Sequence, residues 1–118
     1  MAVYDRFDAW QRCHELTVAV YRATSSWPRE ERFGLTDQIR RAAFSAANNI
    51  AEGSAKKGSR ELRRYLDISL GSLSEVHYIL RLAEDVGIAK GEDLQPIRAL
   101  QEAAGRSTWL WYNSIRSR

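Results

Sequence analysis

The sequence contains one cysteine, Cys13, and two histidines, His14 and His77, residue types that often serve in catalysis or metal binding. A helical bundle that binds two iron ions carries Glu-x-x-His on two helices, which puts a carboxylate and an imidazole on one face. Gln11 and Ser74 stand three positions before the histidines, and neither supplies a carboxylate. A single cysteine also excludes an internal disulfide and a multi-cysteine zinc site. We therefore expect no metal, no cofactor and no enzymatic activity.

A cluster of cations offers a different chemistry, the binding of phosphate groups. Five cations fall within nine residues, with one acid, Glu61, among them. This basic cluster consists of Lys56, Lys57, Arg60, Arg63 and Arg64. Helical spacing puts its arginines on one face, where they can follow the backbone of RNA or DNA. The alternative is a solvated helix start, and in a ring of subunits the fields of several clusters would add. Both interpretations stay open.

The chemistry has to be positioned by four helices, which the hydrophobic periodicity predicts. The first covers about residues 8–25, and the second starts between residues 29 and 36 and ends at Gly53. The third covers residues 59–86, and the fourth starts near Glu92 or Asp93. Ser59 is predicted as an N-cap, and Gly53 and Gly87 as C-terminal stops. Pro96 is expected in the first turn of the fourth helix, where its missing amide has no helical partner.

The third helix has the strongest pattern. Its apolar positions alternate steps of four and three residues, which is a heptad seam typical of long helices that cross at a shallow angle. The seam consists of Leu62, Leu66, Ser69, Leu73, Val76, Leu80 and Ala83. Because no segment alternates with period two, we expect an all-α protein, an antiparallel up-down four-helix bundle.

The fourth helix ends in more apolar surface than a small core can bury. Trp109, Leu110, Trp111 and Tyr112 are consecutive, so on a helix they point in different directions. Large apolar patches left in water mark interfaces. We predict that Trp109, Trp111 and Tyr112 form a contact between copies of the chain, because most oligomers are homo-oligomers. The alternative is a wide core with one exposed aromatic.

The alanine-rich second helix also carries polar residues, among them Asn49 and Glu52. Asn49 lies on the line of Ile39, Ala42 and Ala46, and is therefore expected to be buried. A buried amide needs hydrogen-bond partners. We predict a structural role for Asn49 and Glu52, tying the second helix to the third or to a neighbouring subunit.

Composition sets the broad class. The chain has 118 residues, 44% hydrophobic and 28% charged, with a formal net charge of +3, which predicts one globular domain over residues 1–118. The first residues include acids and no apolar stretch follows them, so no signal peptide is predicted. No run approaches the roughly 20 apolar residues of a membrane span. We expect a cytoplasmic protein without membrane contact.

Five runs of sequence form a specific combination. They are FDAWQRCHELTVAVYRAT (7–24), WPREERFGLTDQ (27–38), IRRAAFSAANNIAEG (39–53), SRELRRYLDISLGSLSEV (59–76) and ILRLAEDVGI (79–88). Together they resemble the bacterial four-helix-bundle proteins first noticed as reading frames in intervening sequences of large-subunit ribosomal RNA genes. The resemblance covers most of the chain.

The resemblance implies an up-down four-helix bundle that forms a homopentameric barrel. It also implies a relationship to accessory proteins of diversity-generating retroelements, which bind nucleic acid through basic surfaces. This chain departs from the family in one place. Ala46-Ala47-Asn48 stand where the family often has Ile-Pro before Asn-Ile-Ala-Glu-Gly. Without a proline kink the second helix is expected to be straighter.

Two functions follow from these patterns. The first is a non-catalytic, homo-oligomeric protein that binds RNA or DNA, or serves as an accessory factor, through the basic cluster. The second is a protein–protein scaffold without a nucleic-acid role, in which the surplus apolar surface binds a partner protein. An enzyme would require a pocket assembled between subunits.

Overall fold

A computed structural model describes residues 1–115, and four long helices dominate it. They are α1 (Asp8–Thr24), α2 (Leu35–Ser54), α3 (Ser59–Asp85) and α4 (Gly91–Ser114). Short 3₁₀ turns at Val3–Arg6 and Arg29–Glu31 precede α1 and α2, and the described residues contain no strand. The predicted domain extends to residue 118, and residues 116–118 lie outside this description.

The helices form one bundle in which consecutive helices pack side by side and α4 closes against α1. Neighbours run antiparallel, as two contacts show. Arg40 near the start of α2 donates to the hydroxyl of Thr24 at the end of α1 (2.8 Å), and Arg98 near the start of α4 pairs with Glu84 near the end of α3 (2.7 Å). The bundle measures 45 × 24 × 20 Å. The prediction of an all-α four-helix bundle is confirmed.

The heptad seam of α3 forms the centre of the core. Six of its seven residues are buried, from Leu66 to Ala83, and Leu62 at the N-terminal end is half-buried. Burial of a leucine side chain contributes about 2 kcal/mol, so the seam is a main source of stability. The hydroxyl of buried Ser69 donates to the carbonyl of Ala46 in α2 (2.8 Å), which satisfies the polar group.

Gly53 does not cap α2 as predicted. It is buried within the helix, which continues to Ser54. A Cβ at this position would lie 2.7 Å from the Cβ of Tyr65, closer than real side chains approach. The glycine therefore permits α2 and α3 to come together, and its lack of a side chain matters more than its backbone freedom.

A glycine with a positive φ angle lies at each end of α3. Gly58, with φ of 94°, is the residue before the helix, so it takes the N-cap position predicted for Ser59. Gly87, with φ of 79°, follows the last turn, where the amide of Ile88 bonds to the carbonyl of Ala83 (2.8 Å). This bond is typical of a helix C-terminus closed by glycine, and the predicted stop at Gly87 is confirmed.

The start of α4 differs slightly from the prediction. The helix begins at Gly91, so Pro96 is its sixth residue and lies beyond the first turn. Its missing amide deprives the carbonyl of Glu92 of a helical partner. No helix of the described chain is both long enough and apolar enough to span a bilayer.

Candidate nucleic-acid interface

The basic cluster lies at one end of the bundle, on the turn between α2 and α3 and the first turns of α3. Lys56 and Lys57 lie in the turn, Arg60 is the second residue of α3, and all three side chains are exposed. None of the three forms an ion pair with a carboxylate of residues 1–115. Three cations are thus available to an anionic partner at this end.

Arg64 has a partner within its own helix. Its side chain donates to Glu61, one turn earlier, at 3.3 Å. The hydrogen bond and charge of Arg64 lower the pKa of Glu61, so the carboxylate stays ionised and offsets one positive charge. Both side chains are about half exposed, and such surface pairs contribute little to stability.

Arg63 has a structural role instead. Its Nε donates to the carbonyl of Ile115, just after α4, at 3.1 Å. Its guanidinium lies 4.0 Å from the centroid of the Tyr112 ring, a cation–π contact. The half-buried Arg63 side chain therefore fastens the end of α4 to the start of α3. The sequence prediction placed all five cations in one binding surface, and the structure separates this arginine from the others.

Tyr65 lies beside the basic cluster, although it was not among the residues predicted to form the binding surface. The guanidinium of Arg64 lies 4.7 Å from its ring centroid, and the amine of Lys56 lies 5.7 Å from it. An aromatic ring among cations is the combination with which proteins hold single-stranded nucleic acid, through base stacking and phosphate contacts. Its position directly after Arg64 is the signal that could have identified it.

The two structural polar residues lie next to the cluster, at the end of α2. Asn49 is half-buried rather than buried, and it donates to the carbonyl (2.8 Å) and hydroxyl (3.0 Å) of Ser45. Ser45 in turn shares a hydrogen bond with Ser72 of α3 (2.8 Å), so Asn49 reaches α3 through an intermediary. Glu52 is exposed and accepts a hydrogen bond from Asn48 (3.1 Å).

The aromatic run at the end of α4 is divided between the core and the surface. Trp111 stacks on Phe7, with ring centroids 4.4 Å apart, and Tyr112 lies under Arg63. Trp109 is 52% exposed and Leu110 57%. Contacts within one chain therefore use part of the surface that the sequence prediction assigned to a subunit contact.

The remaining reactive side chains, Cys13, His14 and His77, differ in their surroundings. Cys13 is buried, 3.9 Å from the hydroxyl of Thr108, and burial raises the pKa of its thiol to about 11. The ring of His14 stacks on that of Trp10 (4.9 Å), and His77 is exposed on α3. Residues 1–115 contain no group of three potential metal ligands among His, Cys, Asp and Glu.

The fold and the basic cluster define the class of protein: an all-α four-helix bundle with a cluster of five cations at one end. Residues 5–107 match the family described as 23S rRNA-intervening sequence protein. The chain belongs to this family, as its resemblance in sequence indicated. No curated protein matches the chain.

Proposed function

We propose that this protein is a non-catalytic, nucleic-acid-binding accessory factor that acts through the basic cluster. The observation that carries the proposal is the exposure of Lys56, Lys57 and Arg60 at one end of the bundle without carboxylate partners among residues 1–115. The family name, which refers to an intervening sequence of 23S rRNA, supports an RNA-related role. RNA is therefore the first nucleic acid to test.

The physical basis is electrostatic. Each cation that neutralises a phosphate releases a condensed counterion, so affinity falls with rising salt. Tyr65, which lies next to Lys56 and Arg64, adds an aromatic ring on which an unpaired base can stack. These contacts do not depend on sequence, and we expect binding to single strands of varied sequence.

The test is a charge-removal variant, Lys56→Gln/Lys57→Gln/Arg60→Gln. We expect weaker binding of single-stranded RNA, and a slope of log affinity against log salt that is shallower by about 2, since each contact to a single strand contributes about 0.7. Fluorescence anisotropy at several salt concentrations measures both.

The matched control is Arg22→Gln/Arg81→Gln/Arg106→Gln, which removes the same charge from exposed positions elsewhere. If the control lowers affinity as much as the cluster variant, net charge alone governs binding. If neither variant changes binding, the basic cluster is not the interface.

We propose further that the protein acts as a homo-oligomer, for which the family resemblance implies a pentamer. Several large apolar side chains are at least half exposed, among them Phe44 (56%), Tyr78 (60%), Trp109 (52%) and Leu110 (57%). Covering these side chains with further copies removes apolar surface from water. A closed ring would also repeat the basic cluster around its axis and strengthen the field that attracts nucleic acid.

Self-association is tested by light scattering at micromolar concentration. We expect a mass several times that of one chain, and Trp109→Ser/Leu110→Ser should lower it towards the monomer. Phe33→Ser is the control, because Phe33 is 87% exposed but lies in the α1–α2 link, far along the bundle from Trp109. A monodisperse single-chain mass for the unaltered protein would contradict the proposal.

The second candidate is a protein–protein scaffold, which the same exposed apolar side chains favour. In that case the charges of the basic cluster maintain solubility. The lack of measurable affinity for RNA and DNA at low salt, together with a stoichiometric protein partner, would select this function over the first.

A further inference from the structure

We propose a second anion site at the opposite end of the bundle: a small arginine-lined pocket that binds a dianionic phosphate group. The pocket has a volume of about 240 Å³ and lies between the end of α1, the link to α2 and the start of α2. Three arginines and two threonines line it: Arg29, Arg32, Arg40, Thr24 and Thr36.

The lining of the pocket is positively charged. Three guanidinium groups line the pocket and no carboxylate does. Arginine presents several N–H donors in a planar fork that matches the oxygens of phosphate. The link also carries two acids, exposed Glu30 and half-buried Glu31; neither lines the pocket, and the Glu31 carboxylate accepts the Leu35 amide at 3.1 Å.

The side chain of Arg40 is held in place by contacts within the protein. The Nε of Arg40 donates to the hydroxyl of buried Thr24 (2.8 Å), and its terminal nitrogen donates to the carbonyl of Tyr21 (3.2 Å). The guanidinium also lies 4.8 Å from the centroid of the Tyr21 ring. These neutral partners hold the side chain in place without neutralising its charge. An anion therefore meets an oriented cation and loses little entropy in ordering it.

The start of α2 adds to the attraction. Thr36 is the second residue of this 20-residue helix and contributes to the pocket wall. The Leu35 amide already bonds to the Glu31 carboxylate (3.1 Å), which leaves the amides of Thr36 and Asp37 without a helical acceptor, and with the helix dipole these two favour an anion at this end. Thr36 thus supplies a hydroxyl close to the positive end of a long helix.

The neighbouring cleft has a lining of the opposite charge. Trp27 lines both the arginine pocket and a larger cleft of about 790 Å³. Acids Glu84 and Asp93 line the larger cleft, with one cation, Lys90. Those acids repel phosphate, whereas the arginine pocket attracts it. At about 240 Å³ the arginine pocket is smaller than the usual 300–1,000 Å³ of small-molecule sites, so it suits a single phosphate rather than a whole nucleotide.

The chemistry favours a terminal phosphate over one within a chain. A phosphomonoester carries up to two negative charges and enters a pocket end-on, whereas a diester carries one charge and must leave on both sides. The pocket is also separate from the basic cluster, because α2 spans about 30 Å between them. The inference therefore does not depend on the nucleic-acid role of that cluster.

The test is isothermal titration with three ligands at low salt: inorganic phosphate, a short RNA with a 5′-phosphate, and the same RNA with a 5′-hydroxyl. We expect saturable binding of inorganic phosphate. If the site binds the 5′ end of an RNA, the 5′-phosphate form also binds more tightly than the 5′-hydroxyl form. Equal RNA affinities together with phosphate binding would assign the site to free phosphate.

The variant Arg29→Gln/Arg32→Gln should weaken phosphate binding by tenfold or more, since the loss of one hydrogen bond to a charged group already lowers affinity by about that factor. Both side chains are exposed, so the fold should be retained, and thermal melting checks this. The control Arg81→Gln/Arg106→Gln removes equal charge and should leave binding unchanged, as should Lys56→Gln/Lys57→Gln/Arg60→Gln. No saturable phosphate binding, or equal effects of the pocket and control variants, would overturn the inference.

Discussion

Gly53 shows how a single residue sets the spacing of two helices. Its Cα lies against Tyr65, which leaves no room for a methyl group without a shift of α2 or α3. The alanines that precede it, Ala42, Ala46 and Ala47, are buried along the same helix. Small residues over three turns therefore bring α2 close to its neighbours, and the glycine completes the series where α3 begins.

Gly53→Ala should lower the free energy of unfolding by about 1–2 kcal/mol, because overpacking outweighs the roughly 1 kcal/mol gain in helix propensity. The control is Gly71→Ala in α3, where a Cβ meets no atom within 4 Å. That change should stabilise the protein by up to about 1 kcal/mol. Urea denaturation measures both, and stabilisation by both alanines would contradict the close-approach role.

The sequence could not distinguish the two uses of a glycine at position 53. The end of an alanine-rich helix predicts a cap, and α2 does end one residue later, so the boundary was nearly right. The reason for the glycine depends on Tyr65, which reaches it only when the bundle folds. Likewise, the pattern on α2 predicted a buried Asn49, but Asn49 and its partner Ser45 are both only half-buried.

Among the four helices, α3 is the one whose buried residues the sequence predicted best. Its heptad seam predicted which residues are buried, because one long uninterrupted repeat fixes the face that meets α2 and α4. The end of α4 was harder to predict. Phe7 and Arg63, which lie far away in sequence, determine how deeply Trp111 and Tyr112 are buried.

Arg63→Gln should loosen the last turn of α4, since it removes the bond to the Ile115 carbonyl and the contact with the Tyr112 ring. We expect a loss of about 1 kcal/mol and faster amide hydrogen exchange around residues 111–115. Arg60→Gln, one turn earlier on the exposed face of α3, should change neither. Equal exchange in the two variants would show that Arg63 does not fasten α4.

Hydrogen bonds join the four helices around a single core. Gln101 of α4 donates to the carbonyl of Leu73 in α3 (3.1 Å), and Ser69 of α3 donates to α2. Cys13 of α1 lies inside this core against Thr108 of α4, fully buried. Reagents reach its thiol only when the bundle opens, so the thiol can report on the stability of the whole fold.

At pH 8, Cys13 should react with iodoacetamide far more slowly in the folded protein than in urea. The pKa of the thiol rises from an ordinary 9.0 to about 11 on folding, so the folded state disfavours the reactive thiolate. The stability linked to this group is fully present below pH 9 and is lost as the pH rises from there through about 11. Mass spectrometry of labelled protein measures the rate, and rapid labelling of the native protein would mean that α1 opens independently.

The stacking of Phe7 on Trp111 follows from the even number of antiparallel helices, which returns the chain to the end where it began. The turn between α2 and α3 lies at that same end, near both the 3₁₀ turn at Val3–Arg6 and Ile115. A fluorescent protein or affinity tag attached close to Val3 or to Ile115 would therefore crowd Lys56 and Lys57. The turn around Gly87, at the far end, is the better place for a label, and the natural place to open a circularly permuted chain.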